Sequence, residues 1–258
     1  MTMGDTVLYE RDGRIATITY NRPEAMNAIN GQLRADLNAA WEQFRDDEEA
    51  WVGIVTGAGR AFSAGADLRD ANPATLGTFW EIPSFNSLES GMEIWKPTIA
   101  AVNGYCLGFA LTLVSAVDFV IASEQAEFGF PEVRIGIPTI QGAVRMPSRI
   151  GWQNAMELLL IGERIDANRA KEMGLAWKVV PHEQLMDEAR ALAERLLLSA
   201  PLATRATKEV ARRGQQLPFA DAIRFGETMR KVSRDTQDAK IGPTAFREKQ
   251  TPEWTGLV

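Results

Sequence analysis

Short apolar strands alternate with a helical segment in the first half of the chain, and this alternation constrains the fold more than any other sequence feature. Continuous apolar runs predict strands at residues 52–56, 98–102 and 119–122. Residues 31–49 instead carry apolar side chains at intervals of three and four, which predicts a helix with one buried face. This alternation is typical of a layered α/β arrangement with a largely parallel sheet.

Other patterns extend this outline to both ends of the chain. Residues 7–20 predict an N-terminal hairpin with its turn at Arg11, Asp12 and Gly13. In the second half the pattern becomes helical, and Asp166 and Pro201 are predicted to begin two of the helices. We therefore expect two regions, an α/β core and a helical C-terminal region. Their predicted bounds are residues 1–198 and 199–258.

Composition and charge exclude several classes of function. The 28 Lys+Arg and 34 Asp+Glu residues give a net charge of −6, which argues against non-specific binding to nucleic acid or to anionic membranes. The single cysteine, Cys106, permits no internal disulfide, and the single histidine, His182, excludes a histidine-clustered zinc site. We expect His182 to be a surface or capping residue. We expect no metal site.

The chain has no pattern of a targeting or membrane segment. Its N-terminus mixes acidic and basic residues without an apolar stretch. Residues 105–117 are the most apolar stretch, but they are too short for a membrane-spanning helix, and we expect a buried helix there. The sequence therefore predicts a cytoplasmic protein without a membrane or nucleic-acid partner.

Two segments share one plan, in which a strand runs through a loop of small residues into the start of a helix. They are residues 54–68 and 99–110. Backbone N–H groups at such positions are unpaired, so they can hold an anion or a developing oxyanion, and small residues let a ligand approach. Two such loops facing one another could donate two N–H groups to one oxygen. They could equally be ordinary tight turns between packed elements.

A dinucleotide site is a weak alternative for the first of these loops. Residues 57–62 begin like the G-x-G-x-x-G pattern. The pattern ends in Phe62, where close helix packing requires Gly or Ala. The spacing therefore gives little support to nucleotide binding.

Five segments, in order along nearly the whole chain, resemble the crotonase, or enoyl-CoA hydratase/isomerase, superfamily. They are residues 21–28 (NRPEAMNA), 61–68 (AFSAGADL), 99–105 (IAAVNGY), 128–132 (FGFPE) and 245–249 (AFREK). The C-terminal tail, residues 242–249 and 252–254, looks closest to bacterial hydratases and to carnitinyl-CoA dehydratase-like members.

The resemblance implies a fold, an assembly and an activity. The fold is a crotonase-like spiral of ββα units with a C-terminal helical trimerisation region, assembled as a homotrimer or a dimer of trimers. The activity is that of a lyase that hydrates a 2-enoyl-CoA or runs the reverse dehydration. No cofactor is implied, because coenzyme A is part of the acyl-CoA substrate.

The resemblance also implies roles for individual residues. The backbone N–H groups of Ala66 and Phe109 match the oxyanion hole that holds the thioester oxygen. Glu132 matches a catalytic glutamate. The residues that match coenzyme A-binding positions are Ala25, Ala64, Ala66, Asp67, Leu68, Arg69, Phe246 and Lys249.

Two residues depart from the family pattern. Thr112 stands where hydratases carry the first of two catalytic glutamates, and Phe109 stands where the family usually has glycine. A threonine hydroxyl can orient a water, but it is not a useful base at neutral pH. Thr112 could equally be a buried residue that bonds back to its own helix.

Because of Thr112, two other functions stay open. One is an isomerase that uses a single carboxylate to move a C3 double bond to C2. The other is an acyl-CoA binding protein that has lost catalysis. The acyl chain is not predicted, since residues 70–92 show no readable pattern. The Met, Trp and Phe residues between Thr78 and Trp95 fit an acyl pocket or the core equally well.

Overall fold

The computed structural model describes residues 4–70 and 87–258. Within these ranges, six strands form the larger sheet in the spatial order β1 (Val7–Asp12), β2 (Ile15–Tyr20), β3 (Val52–Gly57), β5 (Thr98–Val102), β7 (Phe119–Ser123) and β10 (Lys178–Val180). The first pair is the predicted hairpin and is antiparallel, and every later pair is parallel. The predicted α/β arrangement is confirmed.

A smaller sheet lies beside the larger one. Its described strands are, in spatial order, β4 (Ala61–Ser63), β6 (Tyr105–Leu107), β8 (Glu127–Gly129) and β9 (Ile165–Asp166). β4, β6 and β8 pair in parallel, and each follows directly in sequence after a strand of the larger sheet. The chain thus passes three times from the larger sheet to the smaller one, and each passage ends near the same edge.

The helices surround these sheets and fill the C-terminal part of the chain. They are α1 (Gly31–Asp46), α2 (Phe109–Val114), α3 (Gln141–Ile150), α4 (Trp152–Met156), α5 (Ala167–Glu172), α6 (Leu185–Leu197), α7 (Pro201–Gly214), α8 (Phe219–Arg234) and α9 (Asp238–Glu248). Short 3₁₀ turns cover Pro23–Ala25, Pro131–Ile135 and His182–Gln184, and one π turn covers Glu157–Ile161. As predicted, Asp166 caps α5 by accepting a hydrogen bond from the N–H of Arg169.

Two predictions about secondary structure are wrong in part. Ala61–Ser63, in the segment predicted to lead from the first small-residue loop into a helix, forms strand β4. The stretch from residue 105 to 117 is not one helix, because Tyr105–Leu107 pairs with two strands as β6 and only Phe109–Val114 is α-helical. A continuous apolar run fits a buried strand as well as a buried helix, so periodicity could not separate the two. Gly108, at φ 55° and ψ −119°, makes the sharp bend between them.

The larger sheet is covered on both faces. On one face α6 packs over an apolar layer that includes Ile54, Ile99 and Ile121. On the other face lies the main core, to which α1 contributes. The predicted buried face of α1 is confirmed, because its members are at most 1% exposed: Leu33, Leu37, Ala40, Trp41 and Phe44.

The C-terminal helices are attached to the core through α7. Lys208 donates hydrogen bonds to Asp118 Oδ2 at 2.6 Å and to the carbonyl of Lys96 at 2.8 Å. Beyond α7, several large apolar side chains remain exposed, among them Phe219 and Val232 on α8. No helix in the described ranges is both long enough and apolar enough to cross a membrane.

Candidate active site

The first small-residue loop follows β4 and is held in place by backbone hydrogen bonds. The N–H of Ile29 donates to the carbonyl of Gly65 at 2.8 Å, and the N–H of Asp67 donates to the carbonyl of Ile29 at 3.0 Å. Between these bonds, the N–H of Ala66 finds no acceptor among the described residues. The loop therefore presents a fixed, unused donor.

The second loop follows β6 and lies against the first. The N–H of Gly108 donates to the carbonyl of Gly129 at 2.8 Å, and Phe109 then begins α2 with its own N–H unpaired among the described residues. A Cβ placed on Gly65 would lie 2.7 Å from the carbonyl oxygen of Leu107 and 3.6 Å from the nitrogen of Phe109. Glycine at position 65, with φ 88°, is therefore needed for the two loops to meet.

Both loops open into one cavity of about 250 Å³. The predicted site residues that line it are Ala64, Ala66, Leu68, Phe109, Thr112 and Glu132. The structure therefore brings together the two matched N–H positions, the matched glutamate and Thr112, which stands at the position of the first glutamate. Most of the remaining wall is apolar and comes from residues 135–141.

Glu132 lies on the 3₁₀ turn after β8, and its carboxyl faces the second loop. A Cβ on Gly108 would lie 2.7 Å from Glu132 Oε1, which places the carboxyl beside the start of α2. Burial raises the pKa of Glu132, while its own backbone N–H and the hydroxyl of Thr139 act in the opposite direction. Even so, Glu132 Oε2 is buried without a hydrogen bond of ordinary geometry to any described residue. This carboxyl is poised to exchange a proton with a molecule in the cavity.

Thr112 lies one turn into α2 and is 3% exposed. Its hydroxyl makes no hydrogen bond to a described residue, so the alternative in which it bonds back to its own helix is not observed. The local bond runs the other way, because the hydroxyl of Ser115 donates to the carbonyl of Thr112. Thr112 therefore contributes a polar group to the cavity wall.

The ring of Phe109 contacts both the main core and Arg34 of α1. The side chain is half-buried and packs against the main core. The guanidinium carbon of Arg34, on α1, lies 4.7 Å from the centre of the ring, within the range of a cation–π interaction. This contact between α1 and α2 was not predicted, because it joins residues far apart in the sequence.

The loop after Ala66 carries a buried charge. The Asp67 side chain is 7% exposed and forms ion pairs with Arg69 at 3.0 Å and with Arg22 at 3.5 Å. The hydrogen bonds from Arg69 hold the pKa of Asp67 below its usual range. Asp67 thus orients the loop, while the side chain of Arg69 remains largely exposed.

The other matched coenzyme A-binding positions are more distant. Ala25 ends the 3₁₀ turn Pro23–Ala25, which lies shortly before Ile29, the residue whose backbone is hydrogen-bonded to the first loop. Phe246 and Lys249, on and after α9, do not line the cavity, and the Phe246 side chain is 86% exposed. One chain alone does not bring these two residues to the cavity, and their role stays a prediction.

Two residues singled out by the sequence also lie elsewhere. His182 Nδ1 is 3.1 Å from the hydroxyl of Ser123, and the residue is half-buried. Cys106 is fully buried in β6, and burial raises the pKa of its thiol. Neither side chain lines the cavity.

Thr139 is a cavity residue that no sequence pattern predicted. It lines the cavity beside Glu132, and its hydroxyl oxygen is also buried without a hydrogen bond of ordinary geometry to a described residue. No spacing rule marks a threonine after Pro138 as functional. The predicted acyl pocket falls partly on residues 71–86, which lie outside the described residues, whereas Met92 and Ile94 belong to the core.

Comparison with known proteins matches the fold and the order of these elements. The family described as enoyl-CoA hydratase/isomerase matches residues 10–257. A probable mitochondrial enoyl-CoA hydratase of Dictyostelium discoideum is 38% identical, covering 95% of this chain and 89% of its own. An (E)-benzylidenesuccinyl-CoA hydratase of Thauera aromatica is 37% identical, covering 97% of this chain and 99% of its own.

A solved structure agrees with these sequence relatives. The crystal structure of an enoyl-CoA hydratase/isomerase from Mycobacterium paratuberculosis superposes with a TM-score of 0.88 at 39% identity, covering 98% of this chain and 99% of that one. Similarity of both sequence and structure thus extends over nearly the whole chain. The chain belongs to the enoyl-CoA hydratase/isomerase family, the crotonase superfamily.

Proposed function

We propose that the protein is a lyase that hydrates a 2-enoyl-CoA, or runs the reverse dehydration, with Glu132 as the acid and base. One observation carries this proposal. Glu132 is the sole titratable side chain among the described residues that line the cavity, and one of its oxygens is buried and unpartnered there. Among the described residues, Glu132 is therefore the group that can move a proton in this cavity.

The two unpaired N–H groups supply the second part of the chemistry. The N–H groups of Ala66 and Phe109 lie on touching loops that line the same cavity as Glu132. Two such donors stabilise the negative charge that develops on a thioester oxygen, and losing one typically costs about 2.7–4 kcal/mol of transition-state stabilisation. These N–H groups form the proposed oxyanion hole.

The proposed reaction balances with one carboxyl group. The Glu132 carboxylate takes a proton from water, the water oxygen bonds to C3, and the C2–C3 π electrons shift to give an enolate held by Ala66 and Phe109. Protonated Glu132 then gives its proton to C2, and the enolate returns to a thioester. The carboxylate is regenerated, and no cofactor takes part.

Binding of the coenzyme A part is proposed for the first loop and for a neighbouring subunit. Ala64 and Leu68 lie at the cavity, with Asp67 and Arg69 beside them, and together with Ala25 they suit the pantetheine and nucleotide regions. Exposed Phe246 and Lys249 suit a site shared between subunits of a homotrimer or a dimer of trimers. The relatives named above as hydratases of enoyl-CoA and benzylidenesuccinyl-CoA support a coenzyme A thioester as substrate.

An isomerase is the second candidate, and the replacement of a glutamate by Thr112 favours it. Moving a C3 double bond to C2 requires one carboxylate that takes a proton from C2 and returns it at C4. It requires no water. Supplying 2-enoyl-CoA and 3-enoyl-CoA separately, and following the conjugated enoyl absorbance, separates hydration from isomerisation.

Glu132→Gln tests the proposed function directly. The amide keeps the shape of the side chain but cannot transfer a proton, so we expect hydration to slow by about 10²–10⁴-fold with little change in acyl-CoA affinity. Glu124→Gln is the matched control, because it changes an exposed glutamate that lies shortly before the 128–132 motif in the sequence. This variant should retain full activity. More than about a tenth of the activity in Glu132→Gln would assign the base elsewhere, and binding without turnover in the wild type would favour a binding protein.

A further inference from the structure

Two buried polar atoms in the cavity lack partners, and they belong to neighbouring wall residues. Glu132 Oε2 and Thr139 Oγ1 are both buried without a hydrogen bond of ordinary geometry among the described residues. Both residues line the same cavity. A buried donor or acceptor that makes no hydrogen bond is unfavourable, so such atoms usually bind water or a ligand.

The orientation of Thr139 is set by its methyl group. A Cβ on Gly142, in the first turn of α3, would lie 2.8 Å from Thr139 Cγ2, so the methyl packs closely against the buried backbone of Gly142. The hydroxyl is the other substituent of the same Cβ. It does not cap α3, because the N-terminus of that helix has no side-chain cap. Local structure therefore leaves the Thr139 hydroxyl available to the cavity.

We propose that the Thr139 hydroxyl and Glu132 together hold the water that adds to C3 of the enoyl thioester. This inference rests on the proposed hydratase function. A hydroxyl can accept one hydrogen bond from that water while Glu132 Oε2 accepts the other, which leaves a water lone pair facing C3. Thr139 thus supplies the second contact to water that a second glutamate would otherwise supply, and it does so from the α3 side of the cavity.

The step itself needs no further reactant. The water O–H bond that is directed at Glu132 breaks, its proton passes to the carboxylate, and the water oxygen bonds to C3. The other O–H bond of the water, directed at Thr139, stays intact and becomes the hydroxyl of the product. Thr139 gains and loses no proton. It lowers the barrier by orienting the water, because a reactant that is already in position loses less entropy on reaching the transition state.

Thr139→Val and Thr139→Ser form a matched pair. Valine keeps the methyl that packs on Gly142 and removes the hydroxyl, whereas serine keeps the hydroxyl. We expect the kcat for hydration to fall about tenfold in Thr139→Val, equivalent to about 1.4 kcal/mol, with little change in KM. Thr139→Ser should recover most of this loss.

A second reaction separates water positioning from damage to Glu132. Exchange of the C2 hydrogens of a saturated acyl-CoA into deuterium oxide, followed by mass spectrometry, requires Glu132 and the oxyanion donors but no addition of water to carbon. We expect Thr139→Val to exchange at the wild-type rate when measured at a pH where Glu132 is ionised. Glu132→Gln should lose both exchange and hydration.

The pH profile supplies a third readout. The Thr139 hydroxyl opposes the effect of burial on the Glu132 pKa, so its removal should move the acidic limb of kcat/KM to higher pH. No other described residue lining the cavity titrates, which leaves Glu132 as the group reported by this limb.

Each outcome bears on one of the two proposals. Undiminished hydration in a folded Thr139→Val, alongside an inactive Glu132→Gln, overturns the role of Thr139 and leaves the hydratase intact. Equal losses of hydration and C2 exchange in Thr139→Val also overturn it, because the defect then lies in Glu132 or the fold. A wild type that exchanges C2 hydrogens but never hydrates any enoyl-CoA overturns both.

Discussion

Replacing Gly108 with alanine is predicted to damage the site through one contact. Gly108 joins β6 to α2 at φ 55° and ψ −119°, a region that glycine adopts readily and other residues rarely do. A Cβ there would lie 2.7 Å from Glu132 Oε1. An ordinary C···O contact is about 3.3 Å or longer, so the carboxyl must retreat by about 0.5 Å or more.

Gly108→Ala is expected to lower both catalysis and stability. A displacement of about 1 Å at a reacting group can reduce the rate about 10²-fold, so we expect kcat/KM for a 2-enoyl-CoA to fall by about 10–100-fold. Backbone strain should lower the free energy of unfolding by about 1–3 kcal/mol. The assay is the loss of conjugated enoyl absorbance at several substrate concentrations, with a thermal melt of the same preparation.

Gly13→Ala is the matched control for the strain. Gly13, in the turn between β1 and β2, has φ 58°, and a Cβ there would meet nothing within 4 Å. This variant should lose stability of similar size and keep wild-type kcat/KM. Wild-type activity in a folded Gly108→Ala, or an equal loss of activity in Gly13→Ala, would refute the argument that a Cβ at position 108 displaces the Glu132 carboxyl.

Three further predictions follow from the same structure. Thr112→Glu should raise hydration of a short 2-enoyl-CoA by adding a second carboxylate to the cavity, and it should lower the melting temperature because that carboxylate is buried; a folded, saturable variant that is no faster shows that Thr112 does not face the reacting water. Because burial raises the pKa of Glu132 and the base must be ionised, kcat/KM should fall with decreasing pH at a midpoint above that of an exposed glutamate, and a midpoint at the ordinary value contradicts this. The raised pKa also means that the fold loses stability as pH rises from the ordinary to the raised value, which urea unfolding against pH measures. Sedimentation at micromolar concentration should show a trimer or hexamer, and removal of residues 199–258 should cause aggregation, whereas a well-behaved monomer of the full chain contradicts this assembly.

Features that repeat with a fixed period were accessible from the sequence. The apolar spacing along α1 and the continuous runs of β3, β5 and β7 depend on local periodicity, so their positions were predicted within a few residues. The two small-residue loops were also recognised from their glycines and alanines, although only the second runs into a described helix, α2. Family motifs then joined these pieces into one fold.

Contacts between distant segments were not accessible in the same way. Thr139 and Glu132 share a cavity wall only because the turn after β8 folds back against α2, and no pattern near Thr139 reports this. The cation–π contact of Arg34 with Phe109 joins two helices that are far apart in the sequence. The strand β6 could not be distinguished from a helix within its apolar run, because what makes it a strand is its pairing with β4 and β8, which lie elsewhere in the sequence.

The attachment of α7 has a consequence for how assembly and catalysis are linked. Asp118 Oδ2 accepts hydrogen bonds from the backbone N–H of Thr98, at the start of β5, and from Lys208 of α7. Asp118 itself immediately precedes β7, so one carboxylate fastens α7 to the beginnings of the two strands whose chains continue into Gly108 and Glu132. We therefore expect a partner that binds α7 to affect the beginnings of both of these segments. In the language of linked equilibria, we expect the proposed subunit association through the C-terminal helices and the geometry of the proposed proton-transfer site to be coupled through this one anchor.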